Sequence, residues 1–333
     1  MLPKRARPGL FALALASIGL GALGGTFAAF TAETSNPGNV VSAASDFVAP
    51  SVDRSVIARS ATAAPGYVKQ GGTYYVYAQV IDTGNPASGV ATVTANLSNL
   101  TAGVTAASLT AGSYSVGGTT YNYRSALQTA GAIVLEGTQT YSVSATDSDS
   151  NTATRSDLSV QVDNTSPSGS DVQTADGGGT AGRPQAGDSI TFTFSEPIEP
   201  DSVLSGWDGG STSVVARLTN GLLGSADTLR IYDSPDNDAL ALGTTDLGRN
   251  DYVSGLAGGE ILRFGATGTA STMTMTGNAI TVTFGTASGT GSASTAGGNG
   301  SMIWTPSSAA KDRAGNAALV TPRTETGAAD AEF

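Results

Sequence analysis

Apolar and polar residues alternate through much of this chain. In 73–81 (TYYVYAQVI), Tyr74, Val76, Ala78 and Val80 share one side; in 140–146 (TYSVSAT), Tyr141, Val143 and Ala145 do so. Leu158, Val160 and Val162 continue the pattern, as do Ile190, Phe192 and Phe194 in SITFTFS and Ile280, Val282 and Phe284 in AITVTFG. A period of two describes a strand with one buried face, and the intervening Gly, Asn and Asp clusters describe turns. Many short strands with almost no helical periodicity predict an all-β fold of two tandem antiparallel β-sandwiches. The single helix candidate is short, PDSVLSGW, with Asp201 as N-cap and Gly206 near its end.

The N-terminus follows a different pattern. After Lys4, Arg5 and Arg7 no charge occurs from Gly9 to Ala32. A basic start, an apolar run and small residues near a cut site predict a secretory signal peptide over 1–29 and a flexible segment over 30–48. An uncleaved membrane helix is the competing reading, since about 20 apolar residues span a bilayer. Gly19, Gly21, Gly24 and Gly25 weaken such a helix. The stretch GGTFAAF (24–30) resembles the end of the signal peptide in TasA/camelysin-type surface proteins of Gram-positive bacteria. That resemblance implies export, cleavage after Ala29 and a mature chain beginning at Phe30.

A repeated frame divides the rest. Asp46 precedes Pro50 by four residues and Asp163 precedes Pro167 by four; a D-x3-N turn follows in each unit, DSDSN at 147–151 and DRAGN at 312–316. Pro50 to Asp147 spans 97 residues and Pro167 to Asp312 spans 145, so the second unit carries 48 more. The predicted domains are 49–165 and 166–325, with 326–333 as a tail. EGTQTYSVSATDSDSNTAT resembles the last hairpin of bacterial immunoglobulin-like repeats, AKDRAGNAAL resembles its turn, and ITFTFSEPIEPDSV resembles the opening strand of SbsA-like Ig modules. The resemblance implies two Ig-like sandwiches, the second larger through loop insertions. It makes Tyr141 the counterpart of the tyrosine-corner residue, with a buried ring and a hydroxyl bonded to nearby backbone. The first turn has Ser150 where the resembling turn has Gly.

Composition then removes whole classes of chemistry. With no Cys and no His, disulfides, Ser-His-Asp and Cys-His nucleophiles and the usual zinc sites are excluded. The net charge of −11 and only three Lys argue against a nucleic-acid partner.

Several oxygen-rich groups remain. DSDSN imitates half an EF-hand loop, but Thr152 and Leu158 stand where Gly and Glu are required, so an Asx-rich turn is expected. In DSPDND, Asp233, Asp236 and Asp238 cluster on one loop and form the best calcium candidate, calcium being the only cofactor considered. Asp163 and Asn164 at the junction could contribute to an ion, although nothing in the sequence shows convergence. Glu196 and Glu199 bracket Pro197, and a retaining glycosidase needs two carboxyls about 5–5.5 Å apart. GGGTAGR (177–183) lacks G-K-[ST] and reads as a linker between domains. Tyr75, Tyr77, Tyr121 and Tyr123 could stack on sugars or pack across strands. A Lys–Asn isopeptide bond, as in Gram-positive surface Ig folds, would need Lys69 or Lys311 within an apolar strand, and neither lies in one.

The sequence therefore leads to an exported, secreted or cell-surface protein without enzymatic activity, structural or adhesive in role. Its expected partners are other surface proteins or glycans, with self-association included. A polysaccharide-binding module and a carboxylate-dependent glycoside hydrolase are the alternatives.

Overall fold

The computed structural model describes residues 46–255 and 258–333. The signal peptide expected over 1–29 and most of the segment expected after it lie outside the described residues. Residues 46–333 form one compact unit, nearly all of it strand and loop.

From Ser51 to Val162 the strands make one nine-stranded system. Ser51–Ala58, Thr73–Ile81, Thr119–Ser125 and Ala107–Val116 lie side by side, followed by Val90–Asn96, Gly137–Asp147 and Thr152–Val162. Ala107–Val116 starts against Val90–Asn96 (Ser108 opposite Thr94) and ends against Thr119–Ser125 (Tyr114 opposite Tyr121). A register shift between Ala111 and Tyr114 bends it, so the system folds back over one core. That core takes Ile57, Tyr74, Val76 and Val80 from one side and Val143, Ala145, Val160 and Val162 from the other. All but Ile57 are positions that the alternation predicted, and burying a side chain the size of Val or Ile stabilises by about 1.5–3 kcal/mol.

From Gly169 onward a separate eleven-stranded sheet forms. Gly169–Ala175, Ser189–Phe194, Ala279–Thr283 and Ser271–Thr276 are neighbours and lead into Thr212–Thr219 and Thr228–Asp233. Its core centres on Trp304, whose ring meets Phe194 edge-on at 4.9 Å and Phe192 at 5.2 Å. Burying an indole requires a partner for its N–H, and Trp304 Nε1 donates to Leu242 O at 2.6 Å.

Three local expectations change. GGGTAGR is not an interdomain linker; it connects Gly169–Ala175 to Ser189–Phe194 within the second half. The helix is only Pro200–Val203, and its N-cap is Glu199. Asp201 instead accepts the Gly206 N–H at 2.7 Å, which closes the following turn. The polar residues 326–333, set apart as a tail, return to the second core: Phe333 packs against Tyr252 and Phe284 at ring distances of 5.7 and 5.5 Å.

Candidate functional site

No strand pairing crosses between the two halves among the described residues; side chains and turns join them instead. In the second half the turn Asp312–Asn316 has Gly315 at φ 95°, and Asp312 Oδ1 accepts from Gly315 N and Asn316 N at 2.6 and 2.8 Å. Asn316 Nδ2 donates both to Asp312 Oδ2 at 2.7 Å and to Asp163 O at 2.9 Å. A turn near the end of the second half thus grips the residue that leads into it. From the first half, Lys69 Nζ reaches Gly315 O at 2.8 Å and Arg59 Nε reaches Arg313 O at 2.9 Å. Arg59 Nη2 also pairs with Glu199 at 3.2 Å, beside the Ala64 N–H at 2.9 Å. A Cβ on Gly315 would stand 3.0 Å from Arg59 Nη1, so this turn needs glycine for its φ and for the approach of the arginine. The sequence marked neither lysine nor arginine as junctional, because each becomes so only through the fold.

The same junction gathers three acids. One carboxylate oxygen each from Asp163, Glu196 and Asp312 lies within 4.8 Å of the others. Burial pushes Glu196 up to about 7, and the charges of Asp163, Asp312 and Glu136 add to the effect. Burial also raises Asp312, against the Asn316 hydrogen bonds that favour its ionised form. Asp163 accepts the Thr165 N–H at 3.0 Å, and a side-chain hydrogen bond with Asp163 also favours the protonated form of Glu196. Such a group can hold a proton or a hard cation; three carboxylates suit calcium better than a soft metal. The sequence had separated these residues into a junction, a turn and half of a glycosidase pair.

That pair is split. Glu199 is turned to Arg59 and Ala64, whereas Glu196 faces Asp163 and Asp312. Glu199 lines a cleft of about 420 Å³ beside the junction, with its charge already matched by Arg59.

The structure does not assemble the 233–238 loop into a ligand set. Asp236 bridges two arginines, Arg217 Nε at 2.6 Å and Arg263 Nε at 3.0 Å. Asp233 Oδ1 accepts the N–H groups of Asn237 and Asp238 at 2.7 and 2.8 Å. Among the described residues, the two groups of three converging acids do not include this loop. Asp236 is engaged because Arg217 and Arg263 face each other on paired strands, a register the sequence did not disclose.

The tyrosines pack mainly on one another. Tyr77 is 1% exposed and Tyr121 7%, their rings 5.9 Å apart, and Arg124 covers Tyr75 and Tyr114 at 4.7 and 4.5 Å. Tyr123 instead turns to the main core. Tyr141 is buried as expected, but its hydroxyl meets Ser55 Oγ at 3.2 Å rather than backbone. Ser55 in turn donates to Tyr77 O at 2.7 Å, so the contact reaches backbone through one hydroxyl.

A second acidic group, Glu325, Asp330 and Glu332, has oxygens within 4.8 Å of one another in the second half, and burial pushes Glu332 up to about 8. No sequence pattern marked it. Comparison of the chain with protein-family models, with curated proteins and with solved structures finds no match.

Proposed function

We propose that this chain is an exported, non-catalytic structural protein of the cell surface or extracellular matrix, whose two Ig-like sandwiches act as a stiff spacer. The observation that carries the reading is the junction. Asn316 binds the backbone of Asp163, while Lys69 and Arg59 bind the backbone of the same turn. A linker clamped by its own domain and by its neighbour transmits load, whereas a free linker uncouples the parts it joins. Fixed separation is what display or adhesion away from a surface requires. Half-buried Asp163 and Glu196, with buried Asp312, give the junction a place where calcium would add stiffness, because binding there would neutralise three charges. The lack of His and Cys and the matched charge of Glu199 also favour a role without catalysis.

The experiment is fractionation of the native host followed by N-terminal sequencing. A chain beginning at Phe30, in the surface or medium fraction, supports the proposal. A chain beginning at Met1 and confined to the cytoplasm overturns it.

A further inference from the structure

The second acidic group differs from the first in having two enclosed oxygens without a hydrogen-bond partner, on Glu325 and Glu332, beside an exposed third acid, Asp330. Residues 323–333 run back along the second half as a strap. Arg323 and Thr324 pair with Trp304 and Ile303, Glu325 N donates to Met302 O at 3.0 Å, and Asp330 exchanges both backbone hydrogen bonds with Gly300 at 2.8 and 3.1 Å. Glu332 N then donates to the Tyr252 hydroxyl at 2.8 Å. These contacts fix the backbone from which Glu325, exposed Asp330 and Glu332 bring their carboxylates together.

Glu332 is 1% exposed. One of its oxygens, Oε2, accepts from Thr174 Oγ1; the other, Oε1, is enclosed and has no hydrogen-bond partner. Glu325 Oε1 is likewise enclosed without a partner. Asp330 brings a third carboxylate, with one oxygen of each residue inside 4.8 Å. An enclosed carboxylate without a donor is costly, and three together repel. A proton shared between Glu325 and Glu332 would satisfy those two and leave the charge of Asp330 to solvent. A divalent cation would satisfy all three.

We propose that Glu325, Asp330 and Glu332 form a calcium site that pins the strap 323–333 to the second half. Calcium suits an all-oxygen set with irregular spacing, whereas magnesium demands near-ideal octahedral geometry. The site is separate from the junction acids and does not depend on the proposed spacer role.

The test uses the purified full chain, titrated with calcium and with terbium as a luminescent substitute. Terbium emission excited through tyrosine is informative because the Tyr252 hydroxyl lies against the Glu332 backbone. The variants are Glu332→Gln and, as a control for the junction, Glu196→Gln. The amide of Glu332→Gln can donate to Glu325, so this variant retains the fold, which thermal unfolding in chelator checks. Expected are saturable tyrosine-sensitised emission and a rise in Tm of about 5 °C at calcium a hundredfold above Kd. Both should persist in Glu196→Gln and weaken at least tenfold in Glu332→Gln. Absence of calcium-dependent emission and Tm change in the unaltered chain at millimolar calcium would overturn the site, as would a response that Glu332→Gln leaves intact. Loss in Glu196→Gln with retention in Glu332→Gln would place the ion at the junction and equally overturn it.

Discussion

The two D-x3-N turns share one backbone device and differ in charge balance. In the first half, Asn151 Nδ2 binds Asp147 Oδ2 and Asp46 O, both at 2.8 Å; in the second, Asn316 Nδ2 binds Asp312 Oδ2 and Asp163 O at 2.7 and 2.9 Å. Asp46 and Asp163 each accept the N–H two residues on, from Val48 at 2.8 Å and Thr165 at 3.0 Å. The strand register equates a third position. Ser51, five residues after Asp46, faces Ile81, and Ser168, five after Asp163, accepts from Ser195 N; the next residues are Asp82 and Glu196.

There the likeness stops. Asp82 takes the Gly84 and Gly89 N–H groups at 3.2 and 2.7 Å, and Asp46 takes a second N–H, from Ser88, at 3.1 Å. The Val48 and Ser88 N–H groups hold Asp46 below its ordinary value. Glu196 has no such donors and is held above its own. One scaffold, filled with loop N–H groups, satisfies itself; filled with a longer acid that meets Asp163 and Asp312, it gathers three carboxyls. The fold supplies the geometry, and the donors at each site decide whether it is closed or ready for a cation.

The largest expected effect comes from breaking the clamp. Asn316→Ala leaves Asp163 O and Asp312 Oδ2 without their donor in a buried setting and should cost about 2–3 kcal/mol. Asn151→Ala removes the equivalent bonds at a more exposed turn and should cost about 1–2 kcal/mol. Chemical denaturation of both variants checks the order, and equal small losses would mean that the turns do not clamp.

Next in size is the response to pH. In chelator, Glu196 is protonated more readily folded than unfolded. Its contribution is fully present below its ordinary value of 4.5 and is lost as pH rises through about 7. Glu196→Gln should flatten that fall, and calcium above pH 7 should reverse it if the junction binds the ion. Asp46 has the opposite sign: its contribution is present above its ordinary value of 3.8 and is lost as pH falls below it. Tm measured against pH for Glu196→Gln and Asp46→Asn separates the two slopes, and parallel slopes would erase the distinction between the sites.

What was legible in the sequence was local. Period-two alternation reports the buried face of a strand, so Tyr74, Val76, Tyr141, Val143, Ile190 and Phe192 could be placed in cores. The paired Asp and D-x3-N spacings marked two units. Convergence was not legible. Glu196 meets Asp163 and Asp312 only because a strand end, the incoming linker and a late turn close on one another. Asp236 looked like a cation ligand until strand register placed two arginines on it. Residues 326–333 looked like a tail because they carry polar acids and no strand pattern, and only the fold buries Glu332.

A smaller expected effect tests the likeness of the two turns. Ser150 has φ 74° where Gly315 has φ 95°. A non-glycine residue there is strained, so Ser150→Gly should stabilise by about 0.5–1 kcal/mol, measured by denaturant midpoint. No gain would mean that the serine is satisfied in a way the second turn does not share.

The central claim is that the junction holds the two halves as one body. The chain has no Cys, so spin labels on Ser98→Cys and Thr267→Cys, both exposed, report the distance between the halves without background. Pulsed electron resonance should give one narrow distance peak that broadens when Asn316→Ala and Arg59→Ala are combined. A broad distribution in the otherwise unaltered chain, or a peak indifferent to those changes, would contradict a clamped junction.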